Sequence, residues 1–149
     1  MRHALLLLLL PFFIGCGPKT IIVTGTVTFL DVPGENVSVT FMPTTDSAIV
    51  PPAATGMADA KGFYRLHLAD ETRKAGAMPG EYAVFFSWID PHADPNPERE
   101  GYEPNPVPYQ IPDKARFGRV HFTVPSSGPV VADFHFTEED LQETIQQGI

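Results

Sequence analysis

The chain has 149 residues, enough for one domain with a real core and too few for two ordinary ones once an amino-terminal targeting segment is set aside. Its 16 prolines and 12 glycines argue against a mainly helical protein, because both residue types weaken helix interiors. A formal net charge of -8 with 10 scattered Lys and Arg argues against a nucleic-acid partner, and it leaves a covalent or inserted anchor as the only expected route to an anionic membrane.

The first residues are Met1-Arg2-His3, followed by an apolar run from Ala4 through Ile14 and then Gly15-Cys16-Gly17. A positive start, a short apolar stretch and a small residue before the break are the parts of a secretory signal. The run is too short for a permanent span, which needs about 20 apolar residues. Cys16 is the only cysteine and stands directly after Gly15. Phe13-Ile14-Gly15-Cys16 resembles the lipobox of bacterial lipoproteins, with Phe13 where that motif usually has Leu. The resemblance implies cleavage between Gly15 and Cys16, a diacylglyceryl group on the Cys16 thiol and acylation of the new amino terminus. Residues 1–15 are then a signal peptide and residues 16–19 a short tether. Two or three acyl chains, at about 0.8 kcal/mol per buried CH₂, give an anchoring that one chain does not. A lone cysteine in an oxidising compartment has no disulfide partner, which lipidation explains. The alternatives are a secreted protein with a free thiol and an uncleaved signal anchor. Gly17 stands where an Asp would indicate retention at the inner membrane, so the expected location is the outer membrane.

From Thr20 the dominant signal is alternation, the period of a half-buried strand. Val23, Val27 and Phe29 share one face and Thr24, Thr26 and Thr28 the other. Asp31-Val32-Pro33-Gly34 supplies turn chemistry, and Val37, Val39 and Phe41 resume the inward pattern. After a loop with Pro43, Pro51 and Pro52 come Thr55 to Ala58, a turn at Asp59-Ala60-Lys61-Gly62, and Tyr64, Leu66 and Leu68. Pro79-Gly80 opens the next run, in which Tyr82, Val84, Phe86 and Trp88 face inward. The last strands carry Val120, Phe122 and Val124, then Val130, Ala132, Phe134 and Phe136, with a turn expected over Pro125 to Pro129. Thr137 reads as the N-cap of a short helix running through Gln147, with Glu138, Glu139 and Asp140 in its first turn. About seven short strands separated by turns predict an all-β, antiparallel β-sandwich over residues 20–136, with a Pro-rich insert at 90–112 and an acidic helical tail at 137–149.

Val23-Thr24-Gly25-Thr26-Val27, then Val37 to Pro43, then Asp59-Ala60-Lys61-Gly62-Phe63-Tyr64-Arg65-Leu66 resemble the transthyretin-like, carboxypeptidase-regulatory-like domains. Gly76-Ala77-Met78-Pro79-Gly80-Glu81-Tyr82, Ile111-Pro112-Asp113-Lys114 and Ala132-Asp133-Phe134-His135-Phe136 extend the likeness, which is strongest to small bacterial lipoproteins built of a lipobox plus one such domain. The resemblance implies a seven-stranded Greek-key sandwich and no activity. The insert and the tail depart from that pattern.

Few candidate sites arise. The hydroxyisourate hydrolases resemble this architecture but carry a carboxy-terminal Tyr-Arg-Gly-Ser that Gln146-Gln147-Gly148-Ile149 does not match. A hairpin closed by Pro125 to Pro129 would pair His121 with Asp133 and Arg119 with His135 on an outer face, as a proton-transfer or metal pair or as a solvated charge pair. Asp90, His92 and Asp94, followed by Glu98, Glu100 and Glu103, read either as cation ligands or as an acidic surface loop. Pro104 to Tyr109 reads either as a polyproline epitope or as a covering loop, and Phe63 and Phe85 face outward. The expectation is a non-enzymatic, lipid-anchored envelope module of binding or structural type. It has no cofactor, metal or catalytic residue, and it meets the membrane through Cys16 and an envelope protein or glycan through its loops, in the periplasm or outside the cell. The alternative is an envelope hydrolase or metal-dependent protein using the His and Asp groups.

Overall fold

The computed structural model describes residues 19–44 and 50–146, so Gly15, Cys16 and the signal segment lie outside the described residues. In chain order the elements are β1 (Val23–Phe29), β2 (Val32–Pro33), β3 (Val37–Pro43), β4 (Ala54–Met57), β5 (Phe63–Arg65), β6 (His67–Leu68), β7 (Gly80–Trp88), α1 (Asp113–Arg116), β8 (Val120–Val124), β9 (Val130–Val131), β10 (Phe134–Phe136) and α2 (Glu138–Gln146). They form two five-stranded sheets. In the first, β1 pairs with β2, β5, β9 and β10; the second has the order β6-β4-β3-β7-β8. The arrangement is sandwich-like, with one apolar core between the layers.

The strands form where alternation puts branched and aromatic residues on one side. In β1 every second residue from Val23 to Phe29 is buried and the intervening threonines are half-buried. β3 and β7 repeat the pattern, burying Val37, Val39 and Phe41 against Tyr82, Val84 and Phe86. Aromatic rings join the layers. Phe86, from the second sheet, stands edge-on to Phe134 and Phe136 of the first, with centroids 5.0 Å away in each case. Leu30 and Asp31, both at positive φ, form the tight β1–β2 turn.

The closing strands differ from the antiparallel expectation. Pro125 to Pro129 does not close a hairpin; it carries the chain from β8, at the edge of the second sheet, to β9 in the first. There β9 and β10 run parallel to β1, with Val23 opposite Val130 and Val27 opposite Phe134. The physical reason is backbone satisfaction. The unclaimed polar edge of β1 needs donors and acceptors, and it receives Val130 N–H on Ile22 O at 2.9 Å, Ala132 N–H on Thr24 O at 2.8 Å, and its own Leu30 N–H on Phe136 O at 2.8 Å.

Between β9 and β10 the backbone at Ala132 presses against β1 at Gly25, where any Cβ would collide with the Ala132 carbonyl. The Tyr64 hydroxyl, buried under this junction, donates to the same carbonyl at 2.5 Å. Burial, together with the nearby Asp133 charge, pushes the Tyr64 phenol far above its ordinary value, so it remains a donor.

The described residues also form two short helices. The one-turn α1 was not expected from the sequence. It starts at Pro112, whose fixed φ of -60 suits a helix start, and is followed by Gly118 at φ 67. Before α2, Thr137 N–H donates to Asp140 Oδ2 at 2.7 Å, which is the return half of a capping box. The Lys114 ammonium pairs with the Asp140 carboxylate and ties α1 to α2.

Two substitutions test the junction. Gly25→Ala is expected to destabilise the domain by at least ~3 kcal/mol, the upper end of overpacking costs. Tyr64→Phe is expected to cost about 1–3 kcal/mol by stranding a buried carbonyl. Urea unfolding followed by tryptophan fluorescence measures both, and unchanged midpoints would contradict this account of the junction.

Candidate functional site

Among the described residues no charged side chain is buried, so any chemistry has to be arranged on the surface or in clefts. The pairs expected from a closing hairpin are not formed that way, because His121 lies on β8 in one sheet while Asp133 and His135 follow β9 in the other. Asp133 Oδ1 instead accepts the Thr26 backbone N–H at 2.7 Å and its hydroxyl at 2.9 Å. His135 Nδ1 lies 2.6 Å from Thr28 Oγ1, and its Nε2 lies 3.5 Å from Asp31 Oδ1. This Thr28–His135–Asp31 row orients an imidazole. With His135 54% and Asp31 92% exposed, solvent screens the charge interaction. Arg119, Asp133 and His135 do meet, lining a shallow cleft of about 380 Å³ together with Lys114 and Asp140.

In the acidic insert, Asp90 and Asp94 are taken up by neighbouring groups of the insert itself. Asp90 Oδ1 accepts His92 N–H at 2.8 Å and Asp90 Oδ2 accepts the Asn105 amide at 2.8 Å. Asp94 Oδ1 accepts Asn96 N–H at 2.9 Å, and Asp94 Oδ2 pairs with Arg99 at 3.1 Å. Among the described residues no three His, Cys, Asp or Glu side chains gather as a metal site.

The Pro-rich stretch folds back onto the sandwich at the end where β1 and β7 finish. Tyr109 stacks on Phe29 with centroids 5.5 Å apart. Trp88, Val107, Tyr109, Ile111, Arg116 and Phe117 line an aromatic cleft of about 420 Å³ there. Phe117, 59% exposed, and Arg116, whose guanidinium lies 5.8 Å from the Phe117 ring centre, were not singled out by sequence. The one available signal is Pro112-Asp113, which marks a helix start but not where the helix packs. Phe63 and Phe85, which the alternation placed outward, share no patch: Phe63 is on the first sheet and Phe85 on the second, where its ring packs against Gly118.

A larger cleft, about 760 Å³, opens where the chain crosses from β5 in the first sheet to β6 in the second. Ser38, Thr55, Met57 and Phe63 line it together with Arg65, His67 and Arg73, with Ser38 directly opposite Met57 across the β3–β4 pair. Asp59 and Asp70 also line it. The Thr72 hydroxyl bonded to Asp70 holds that carboxyl below the usual carboxylate range. Sequence reasoning missed this cleft, because its members come from separated strands and only the sheet crossing brings them together.

No family model, curated protein or solved structure matches the chain. Among the described residues no helix is long and apolar enough to cross a membrane.

The tie between the helices has a measurable pH dependence. Partial burial raises the Asp140 pKa, but the Lys114 and Thr137 hydrogen bonds and the Lys114 charge outweigh it, so the carboxyl sits below its ordinary value. A depressed folded pKa contributes stability that is present above the unfolded carboxylate value and is lost as pH falls through the folded one. Asp140→Asn is therefore expected to cost about 0.5–1 kcal/mol at neutral pH. In paired unfolding curves the difference from the parent should shrink towards zero in strong acid, and a gap that persists there would show that charge is not its source.

Proposed function

We propose that the protein is a lipid-anchored binding module of the bacterial cell envelope, fixed to the membrane by acylated Cys16 after cleavage at Gly15. The observation that carries this reading is the sequence Phe13-Ile14-Gly15-Cys16, which puts the chain's only cysteine directly after a short apolar run. The polarity of the sandwich supports it. Lys19, three residues beyond the cysteine, donates to Ser126 O at 3.2 Å, so this first described residue lies beside the 125–129 loop at the end where β1 begins. The insert and its aromatic cleft lie at the opposite end, beside the finish of β1 and β7. In this reading the lipid holds one end, and the Trp88, Tyr109 and Phe117 surface is presented away from the membrane to an envelope protein or glycan. The expected location is the outer membrane, with the domain in the periplasm or outside the cell.

The fold in this proposal is a transthyretin-like Greek-key sandwich. The motifs from Val23 to Phe136 support it, and so does the strand count. When β5 with β6 and β9 with β10 are each taken as one interrupted run and the two-residue β2 is set aside, the ten strands reduce to seven runs. The parallel pairing of the last run with β1 gives the sandwich its closing contact.

Metabolic labelling with a palmitate analogue tests the anchor. The parent is expected to take up label and to sediment with membranes. Cys16→Ser is expected to lose the label and to keep its uncleaved leader, and equal labelling of the two chains would overturn the proposal.

A further inference from the structure

We infer that the cleft at the sheet crossing is a binding site for an acidic saccharide of uronate type, held by Arg65 and Arg73. Its guanidiniums are unusually placed for this chain. Acidic residues outnumber basic ones 18 to 10, and most described cations have taken a partner. Arg99 pairs with Asp94, Lys114 with Asp140, Lys19 with the Ser126 carbonyl, and Arg116 lies by the Phe117 ring. Arg65 and Arg73 make no ion pair or hydrogen bond with a described side chain, although both stand in the same cleft as two carboxylates.

Both carboxylates stay ionised, and one oxygen of each is taken up by its own turn. Asp59 Oδ1 accepts the N–H groups of Lys61 at 2.8 Å and Phe63 at 3.0 Å, and Asp70 Oδ1 accepts the N–H of Thr72 at 3.0 Å and its hydroxyl at 2.5 Å. Both acids build the turns that carry the arginines. Arg73 has φ 45, a left-handed backbone that costs an ordinary residue about 1–2 kcal/mol. The turn sustaining it is closed by Arg73 N–H on Asp70 O at 3.2 Å. The floor is Gly56, where a Cβ would come within 2.5 Å of the Arg65 carbonyl, so β4 and the crossing strand stay in contact under the cleft.

The remaining lining selects the ligand class. Guanidinium forks bind carboxylates in a planar, two-bond geometry. Phe63, 43% exposed, and Met57, 50% exposed, supply an apolar surface for the C–H face of a sugar ring. Ser38 and Thr55, with hydroxyls 3.4 Å apart, offer donors and acceptors for ring hydroxyls, and His67 adds a further polar group. A bare phosphate would leave the apolar wall unused. The volume of about 760 Å³ admits more than one sugar unit. The site lies on the side of the sandwich and does not depend on the lipid anchor, so its failure and the anchor's are separately visible.

Calorimetric titration of the full chain with tri-galacturonate at low salt tests this. Binding is expected, with little or none for neutral tri-galactose, and Arg65→Gln and Arg73→Gln should each weaken it about tenfold, the usual effect of losing a charged hydrogen bond. Melting temperatures should hardly change, since both side chains are exposed and unpaired. Nitrogen-15 NMR of the unaltered chain gives a readout independent of the variants: amide shifts are expected at Gly56, Phe63 and Arg65. No binding at millimolar ligand, equal binding by the glutamine variants, equal binding of penta-glutamate or inorganic phosphate, or shifts confined to the Trp88 and Tyr109 region would each overturn the inference.

Discussion

The carbonyl of Ala132 sits where three parts of the chain meet. The backbone of β1 passes at Gly25, the Tyr64 hydroxyl reaches it from β5, and the segment bearing it links β9 to β10. β1 is the hub of the first sheet, paired to four other strands, and this junction holds two of them. A side chain at residue 25 would separate β1 from its parallel partner. Loss of the phenol would leave a carbonyl in an apolar interior with no donor, and such a group costs more than the hydrogen bond itself contributes when present.

With the core apolar and every described charge outside it, recognition falls to three surface features made by different parts of the topology. The sheet crossing makes the Arg65 and Arg73 cleft, the end of β7 with the insert makes the aromatic one, and the gap between β8 and β10 makes the shallow cleft beside His135. In each, side chains from separate elements of the chain meet. Asp59 and Asp70 in the first cleft, like Asp90 and Asp94 in the insert, each accept a backbone N–H of their own turn.

The inward faces were legible because burial on one side of a strand writes a period of two into the sequence, and residues such as Val37, Val39 and Phe41, or Tyr82, Val84 and Phe86, follow it without interruption. Strand pairing was not legible, since alternation says which face is buried but not which neighbour lies alongside. Val130 to Phe136 would alternate identically as a hairpin partner of β8 or as a parallel partner of β1. Asp133 marks the difference only in retrospect: its carboxylate on Thr26 N–H fastens the parallel register. The one-turn α1 is too short to show a helical period, and its cue was a single Pro-Asp step. The clefts were the least readable, because Arg65 and Arg73 are far from Ser38 and Thr55 in sequence and become neighbours only through the sheet crossing. Alternation marks Phe63 as an outward aromatic but says nothing of its neighbours.

The register of Thr26 with Asp133 also bears on how the molecule comes to be folded. These residues are separated by 107 positions, so the hub strand waits for almost the last residues of the domain before its second edge is covered. Contacts of such long sequence separation slow folding, since the loop must close before any stabilisation is gained. A ribosome or a translocation pore releasing this polypeptide amino terminus first would hold back the completing segment until the end of its passage. On the proposed route out of the cytoplasm that delay is useful, because the chain remains threadable during transit and locks shut only on the far side.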